Sequence, residues 1–170
     1  MRIQYEPIGI VHSDYHDVAG MPLQPTGTSA GRGTVEILPQ FATGLKDLGG
    51  FSHIILVYHF HEASGPKLLV TPFLDSRPHG VFATRVPTRP NPIGLSIVKL
   101  LRVRQNILEI DHLDILDGTP VLDIKPYVPE FDQPPTCRVG WLEHVTGEVR
   151  NHKSDNRFHR GSRRKRRAAQ

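Results

Sequence analysis

The sequence predicts a mainly β protein: a single compact β-barrel domain with one short helix and a basic C-terminal tail. Three observations lead there. Proline and glycine number 15 each in 170 residues, so turn formers interrupt the chain often and the elements between them are short. Apolar, β-branched segments follow one another, with helical periodicity in only one place. Strands do not alternate with helices, and no G-x-G-x-x-G opens a helix after a first strand; the AGRG at 30–33 has the wrong spacing. A closed barrel suits such a chain because closure leaves no strand edge exposed.

The elements are read in chain order. YEPIGIVHS at 5–13 and GTVEILP at 33–39 are the first strands, the latter with Val35 and Ile37 on one face. PQFATGLKDLGG at 39–50 is the helix: Pro39 starts it, Phe41, Leu45 and Leu48 share a face, and the glycines stop it. FSHIILVYHFH at 51–61 is a central strand rich in β-branched and aromatic residues. KLLVTPF at 67–73 and HGVFATR at 79–85 follow. IGLSIVKLLRV at 93–103 and ILEIDHLDIL at 107–116 flank a hairpin break at RQN. PVLDIKPY at 120–127 is the next strand, and CRVGWL at 137–142 a weaker last one.

A chain of this length supports one domain with a real core, placed at 3–145. The single Cys137 cannot form an intrachain disulfide. The first twenty residues carry Glu6, Asp14 and Asp17 and show no signal-peptide pattern, and the apolar run at 54–60 is far too short to span a membrane. The expectation is a soluble cytoplasmic protein. The net charge of +4 hides an asymmetry. Residues 150–170 hold nine Lys/Arg and one acid, net +8, and the remainder is net −4. The tail is almost devoid of apolar residues, so it is expected to be disordered when free and to add salt-dependent affinity for nucleic acid.

Three segments are polar beyond what packing requires. GVFATRVPTRPNPIGLS at 80–96 sets Arg85, Arg89 and Asn91 in a loop that prolines stiffen, which suits holding an anion or a planar ligand. DILDGTPVLDIKPY at 114–127 places Asp117-Gly118 in a turn, followed by Asp123, Lys125 and Tyr127 on one side of a strand; an acid, an amine and a phenol there could transfer a proton or form an ordinary surface pair. His53, His59 and His61 share a strand face in the third, but no second ligand cluster stands at metal-binding spacing, so no metal is expected.

These segments resemble the TrmO/TsaA-like family. YEPIGIVHS, the Gln24 of GMPLQPTG, GLKDLGGFSHIILVYHFH, GVFATRVPTRPNPIGLS and LDILDGTPVLDIKPYVPEFD follow one another in the family's order. A-T-R-x-P-x-R-P-N-P-I-G followed by D-G-T-P-V-L-D-I-K-P-Y is far more specific than a lone glycine motif. The resemblance implies a β-barrel methyltransferase that binds S-adenosylmethionine at a homodimer interface. It implies methylation of the exocyclic N6 amine of threonylcarbamoyladenosine at position 37 of tRNA. It carries cofactor contacts onto Gln24, Phe60, His61, Arg85, Leu108, Gly118, Thr119, Pro120 and Val121. Arg89, Asn91 and Lys125 are left to face the substrate or the partner subunit, and Asp123 or Tyr127 is the candidate proton acceptor. Gln24 stands in PLQ where the family often has Pro-Arg-Gln, and the SRRKRR tail replaces the extra C-terminal domain of longer bacterial members. A non-catalytic barrel that binds the same cofactor or RNA, and a methyltransferase with another acceptor, would carry the same motifs.

Overall fold

Alternation of apolar and polar side chains builds the barrel. A computed structural model of the chain describes residues 3–22, 31–144 and 154–159. Its strands are β1 (Gly9–Ser13), β2 (Gly31–Ile37), β3 (His53–His59), β4 (Leu69–Val70), β5 (His79–Gly80), β6 (Ile93–Arg104), β7 (Ile107–Leu113) and β8 (Pro120–Pro126). Six of them close in the order β1-β2-β7-β6-β3-β8, every pair antiparallel. Alternate residues turn inward: Val11, Val35 and Ile37, Ile54 and Leu56, Val98 and Leu100, Leu108 and Ile110, and Val121, all buried in one core. That burial is the main stabilising term, at about 25 cal/mol per Å² of apolar surface. Bulges between Leu100 and Arg102, and at Val57/Tyr58 opposite β8, supply the bending that closure needs.

The two ends of the barrel differ. At one end the chain between β2 and β3 forms a plug, with Leu45 and Leu48 packed on the core. The helix expected over 39–50 is there a 3-10 helix, Pro39–Leu45, followed by a 3-10 turn, Leu48–Gly50. Gly44 and Gly49-Gly50 weaken a continuous helix, and Asp47 breaks it in the left-handed region at φ 65°. The other end, where β1, β3 and β7 finish and β2, β6 and β8 begin, stays open and is covered by loops.

Those loops hold a second, smaller core of Val70, Val81, Val86 and Phe158, with Phe73 against it. The strands expected at 67–73 and 79–85 shrink to β4 and β5, because Pro66, Pro72, Pro78 and Pro87 withdraw the N–H groups a ladder needs. The weak strand candidate at 137–142 falls instead on a 3-10 helix, Gly140–His144, and a four-residue helix α1 (Pro129–Asp132) precedes it.

The C-terminal region departs from the expected tail. Residues 154–159 pack on the body, and Phe158 is the apolar anchor that corrects a reading of 150–170 as unstructured throughout. Arg157 lies 4.7 Å over the Phe73 ring and donates to the Pro72 carbonyl, Ser64 N donates to the Phe158 carbonyl, and Ser154 is hydrogen-bonded to Val18, Gly20 and Met21. The rest of the basic stretch lies outside the described residues. Among the described residues no helix is long and apolar enough to cross a membrane.

Candidate active site at the open end of the barrel

The open end carries a cleft of about 900 Å³, within the range of small-molecule and cofactor sites. The barrel supplies its floor. β3 brings Tyr58 and, just past its end, Phe60 and His61; β6 brings Gly94; the β7–β8 turn brings Asp114, Ile115, Leu116 and Thr119. The loops supply the roof through Phe82, Thr84, Arg85 and Arg89, and residues 154–159 supply a wall through Asp155, Phe158 and His159.

Local packing explains why these side chains stand where they do. A Cβ on Gly94 would clash with the Tyr58 ring, so the glycine of PNPIG is what lets β6 close on that ring. Phe60 meets Tyr58 edge to face at 5.3 Å. Gly118 takes φ 73°, the left-handed turn that Asp117-Gly118 foreshadowed, and its N–H donates to the Val11 carbonyl. Thr119, 3% exposed, donates through Oγ1 to the Leu116 carbonyl and stands 3.4 Å from Nδ1 of His61. Arg89 donates to the carbonyls of Val81 and Thr84, and Trp141 donates to that of Ala83, so the loop that presents Thr84 and Arg85 is held by its own backbone oxygens.

The cleft floor holds a hydrogen-bonded chain. Tyr58 Oη lies 3.1 Å from Ser96 Oγ, which donates to Asp114 Oδ1 at 2.7 Å. Burial pushes the Asp114 carboxyl up to about 6, against the opposing effects of the Ser96 bond and the Arg85 charge. Burial likewise raises the Tyr58 phenol.

The residues singled out from sequence divide into two groups. Phe60, His61, Arg85, Arg89 and Thr119 meet at the cleft. Leu108 and Val121 are fully buried among the core side chains, because inward parity on β7 and β8 points them into the barrel. Gly118, Pro120 and Asn91 flank the cleft without lining it. Asp123 and Lys125 face outward and pair at 2.7 Å. Tyr127 stands at the plugged end, where its N–H donates to the His53 carbonyl; eight residues of extended chain put it about 25 Å from Thr119. Within one chain, then, neither Asp123 nor Tyr127 reaches the cleft. Gln24 lies outside the described residues. His53 and His59 sit on the outer face of β3, whereas His61 lies past the strand's end and turns to the cleft, so the three histidines do not share a face.

Asp114, Ser96 and Tyr58 were missed in the sequence, although two of them left a signal. Ser96 and Tyr58 occupy inward positions on neighbouring strands, and a polar group at a buried position requires a partner. The wall at 154–159 gave little warning beyond Phe158 standing alone in a charged stretch.

Residues 10–133 match the model of the tRNA-methyltransferase O N-terminal domain. A "probable S-adenosyl-L-methionine-binding protein" of Pyrococcus abyssi is 52% identical over 158 residues, covering 93% of this chain and 86% of that protein. The tRNA (adenine(37)-N6)-methyltransferase of Escherichia coli is 35% identical over 150 residues, covering 82% and 64% of the two chains. A crystal structure of TrmO from Pseudomonas aeruginosa superposes with a TM-score of 0.70 at 40% identity, over 83% of this chain and 63% of that one. The chain thus spans somewhat less than two thirds of that solved protein.

Proposed function

The chain belongs to the tRNA-methyltransferase O N-terminal domain family, and from that premise we propose that it is an S-adenosylmethionine-dependent methyltransferase acting on N6 of adenosine 37 of tRNA, with threonylcarbamoyladenosine as the acceptor. The observation that carries this reading is the convergence of three separate motif segments, 58–61, 84–89 and 114–119, on one cleft.

The cleft's chemistry fits the cofactor. Its walls are largely apolar, as a nucleoside requires, and its polar groups include a cation at Arg85, an imidazole at His61 and a hydroxyl at Thr119. These would hold the cofactor's carboxylate, amine and ribose groups, and Phe60 would cover its base. Bound there, the cofactor supplies an electrophilic methyl group. The chain's own task is to align the acceptor amine and exclude water. Phe82, 75% exposed on the rim with the Arg89 guanidinium 5.8 Å from its ring, offers a nucleobase a face to stack on.

A homodimer completes the reading. The outer face of β3 and β6 pairs Ile55 with Ile97, Val57 with Leu95 and His59 with Ile93, and Leu95 is 51% exposed. A second copy seated there would cover this apolar stripe and place Asp123 and Lys125 at the interface. In that assembly Asn91, Lys125 and the turn at 118–120 serve a cleft from across it, and the protein acts in the cytoplasm, where tRNA is modified. Sedimentation should show a dimer that Leu95→Glu dissociates.

The test of the activity is mass spectrometry of nucleosides from tRNA incubated with protein and cofactor. The expected product is N6-methylated threonylcarbamoyladenosine. Methylation of unmodified adenosine 37 alone would correct the acceptor, and a product identical to the no-enzyme control would refute the assignment.

A further inference from the structure

The cleft contains a partly buried acid that none of the motif assignments uses. We infer that Asp114 is the proton acceptor of the methyl transfer, held in place by Ser96 and Tyr58; this rests on the methyltransferase reading above.

The chemistry requires such a group. Methylation forms one N–C bond and leaves the acceptor nitrogen with a surplus proton. The methyl carbon exchanges its bond to sulfur for a bond to nitrogen, and the sulfur keeps the electron pair, so it cannot take that proton. A carbamoyl substituent on N6 sharpens the need. It withdraws the nitrogen lone pair, which weakens the nucleophile and makes its remaining N–H more acidic. A base within reach then lowers the barrier as well as collecting the proton.

Asp114 combines access to the cleft with support from two buried hydroxyls on the barrel framework. Its Oδ1 accepts from Ser96 Oγ at 2.7 Å, and Ser96 in turn lies 3.1 Å from the Tyr58 hydroxyl, so the carboxylate is held on one oxygen while the residue lines the cleft. Ser96 and Tyr58 are 2% and 5% exposed, so the support is shielded from water. The charged and titratable groups around it are Tyr58 from β3, Arg85 from the 84–89 loop and Tyr15 beyond β1, with His61, Glu62, Arg89, Asp155 and His159 elsewhere on the cleft wall. Burial holds the carboxyl at about 6, ionised at neutral pH and able to keep a proton until it passes to water. Asp123, paired to Lys125 on the outer face, does not line the cleft within its own chain.

The experiment measures single-turnover methyl transfer to tRNA from pH 5 to 9, together with affinity for S-adenosylhomocysteine and a carboxyl carbon NMR titration. For the wild type, the rate should rise with pH through about 6 and then level, and a carboxyl resonance should titrate with the same midpoint. Asp114→Asn should lose that resonance, lose the acid limb and slow transfer about a hundredfold or more. Its affinity for S-adenosylhomocysteine should stay within about threefold, which also shows that the variant folds. Ser96→Ala removes a bond that favours the ionised form, so the limb should move to higher pH. Asp114→Asn that transfers at the wild-type rate with the same limb overturns the inference. So does a variant whose loss is entirely in cofactor affinity, since Asp114 would then be a ligand. A wild-type protein that binds S-adenosylhomocysteine but methylates no tRNA overturns the underlying reading itself.

Discussion

The barrel and the loops over its open end are held together in different ways, and the difference separates framework from working parts. In the barrel, strand ladders run the length of β2, β3, β6 and β7, and fourteen buried residues among those described form one cluster. In the cap, among the described residues, two two-residue strands and a cluster of four buried apolar side chains do the same job, helped by side chains that bond to backbone carbonyls. A small apolar core and many lone backbone bonds mark a region that opens locally at low cost. The floor of the cleft, Tyr58, Asp114 and Thr119, with Ser96 behind it, belongs to the stiff region, whereas Phe82, Arg85 and Phe158 belong to the looser one. On the proposed reading, groups that meet the reacting atoms sit on the framework, and groups that admit a large RNA sit on the part that can move.

Mutations can break that contrast or sharpen it. The largest effect is expected in the barrel: Leu56→Ala should cost about 2–5 kcal/mol of global stability in denaturant unfolding, because a fully buried side chain leaves a cavity in a closed core. Next, Asp114→Asn should stabilise the fold above pH 6. The native carboxyl titrates at about 6 and the unfolded one near 3.8, so the wild type loses stability as pH rises between those values. Asparagine does not titrate, so the variant's advantage should be absent below pH 4 and reach about 1–2 kcal/mol at neutral pH. A flat difference across pH would place Asp114 in an ordinary solvated setting.

Phe158→Ala tests the cap. Its global unfolding midpoint should change little, while amides in 63–89 exchange at least about tenfold faster because the strap loses its anchor. A global loss as large as that of Leu56→Ala would show that cap and barrel form one cooperative unit. The smallest effect is expected from removing residues 161–170. Five Lys/Arg go with them, and the docked segment stays. Affinity for tRNA should fall most at low salt, with the log–log salt slope reduced by about 0.7–0.9 for each phosphate that the tail neutralised. Affinity for the cofactor should not change, since the cleft wall at 154–159 is retained.

The same contrast governs how much was legible in the sequence. Barrel strands show themselves because alternation must match the pleat: Val35 and Ile37, or Val98 and Leu100, can only face inward together. The 80–96 motif and the 114–119 turn were legible as polar and stiff, and both line or flank the cleft. What stayed hidden needs three dimensions. Asp123, Lys125 and Tyr127 share a side of β8, but which side faces the cleft depends on closure, and strand length carries Tyr127 to the far end. Asp114 sits between Leu113 and Ile115, where a chain reading sees only an apolar run interrupted by an acid. Phe158 joins a core whose other members lie about seventy to ninety residues earlier, and no local pattern encodes that packing.

The most direct test of a cofactor site at the open barrel end is hydrogen exchange with and without S-adenosylhomocysteine. Binding should slow exchange in 58–62, 84–89 and 113–119 and leave the plug at 39–50 unchanged. Protection confined to the plugged end or the outer face of β8, or no protection at saturating ligand, would contradict it.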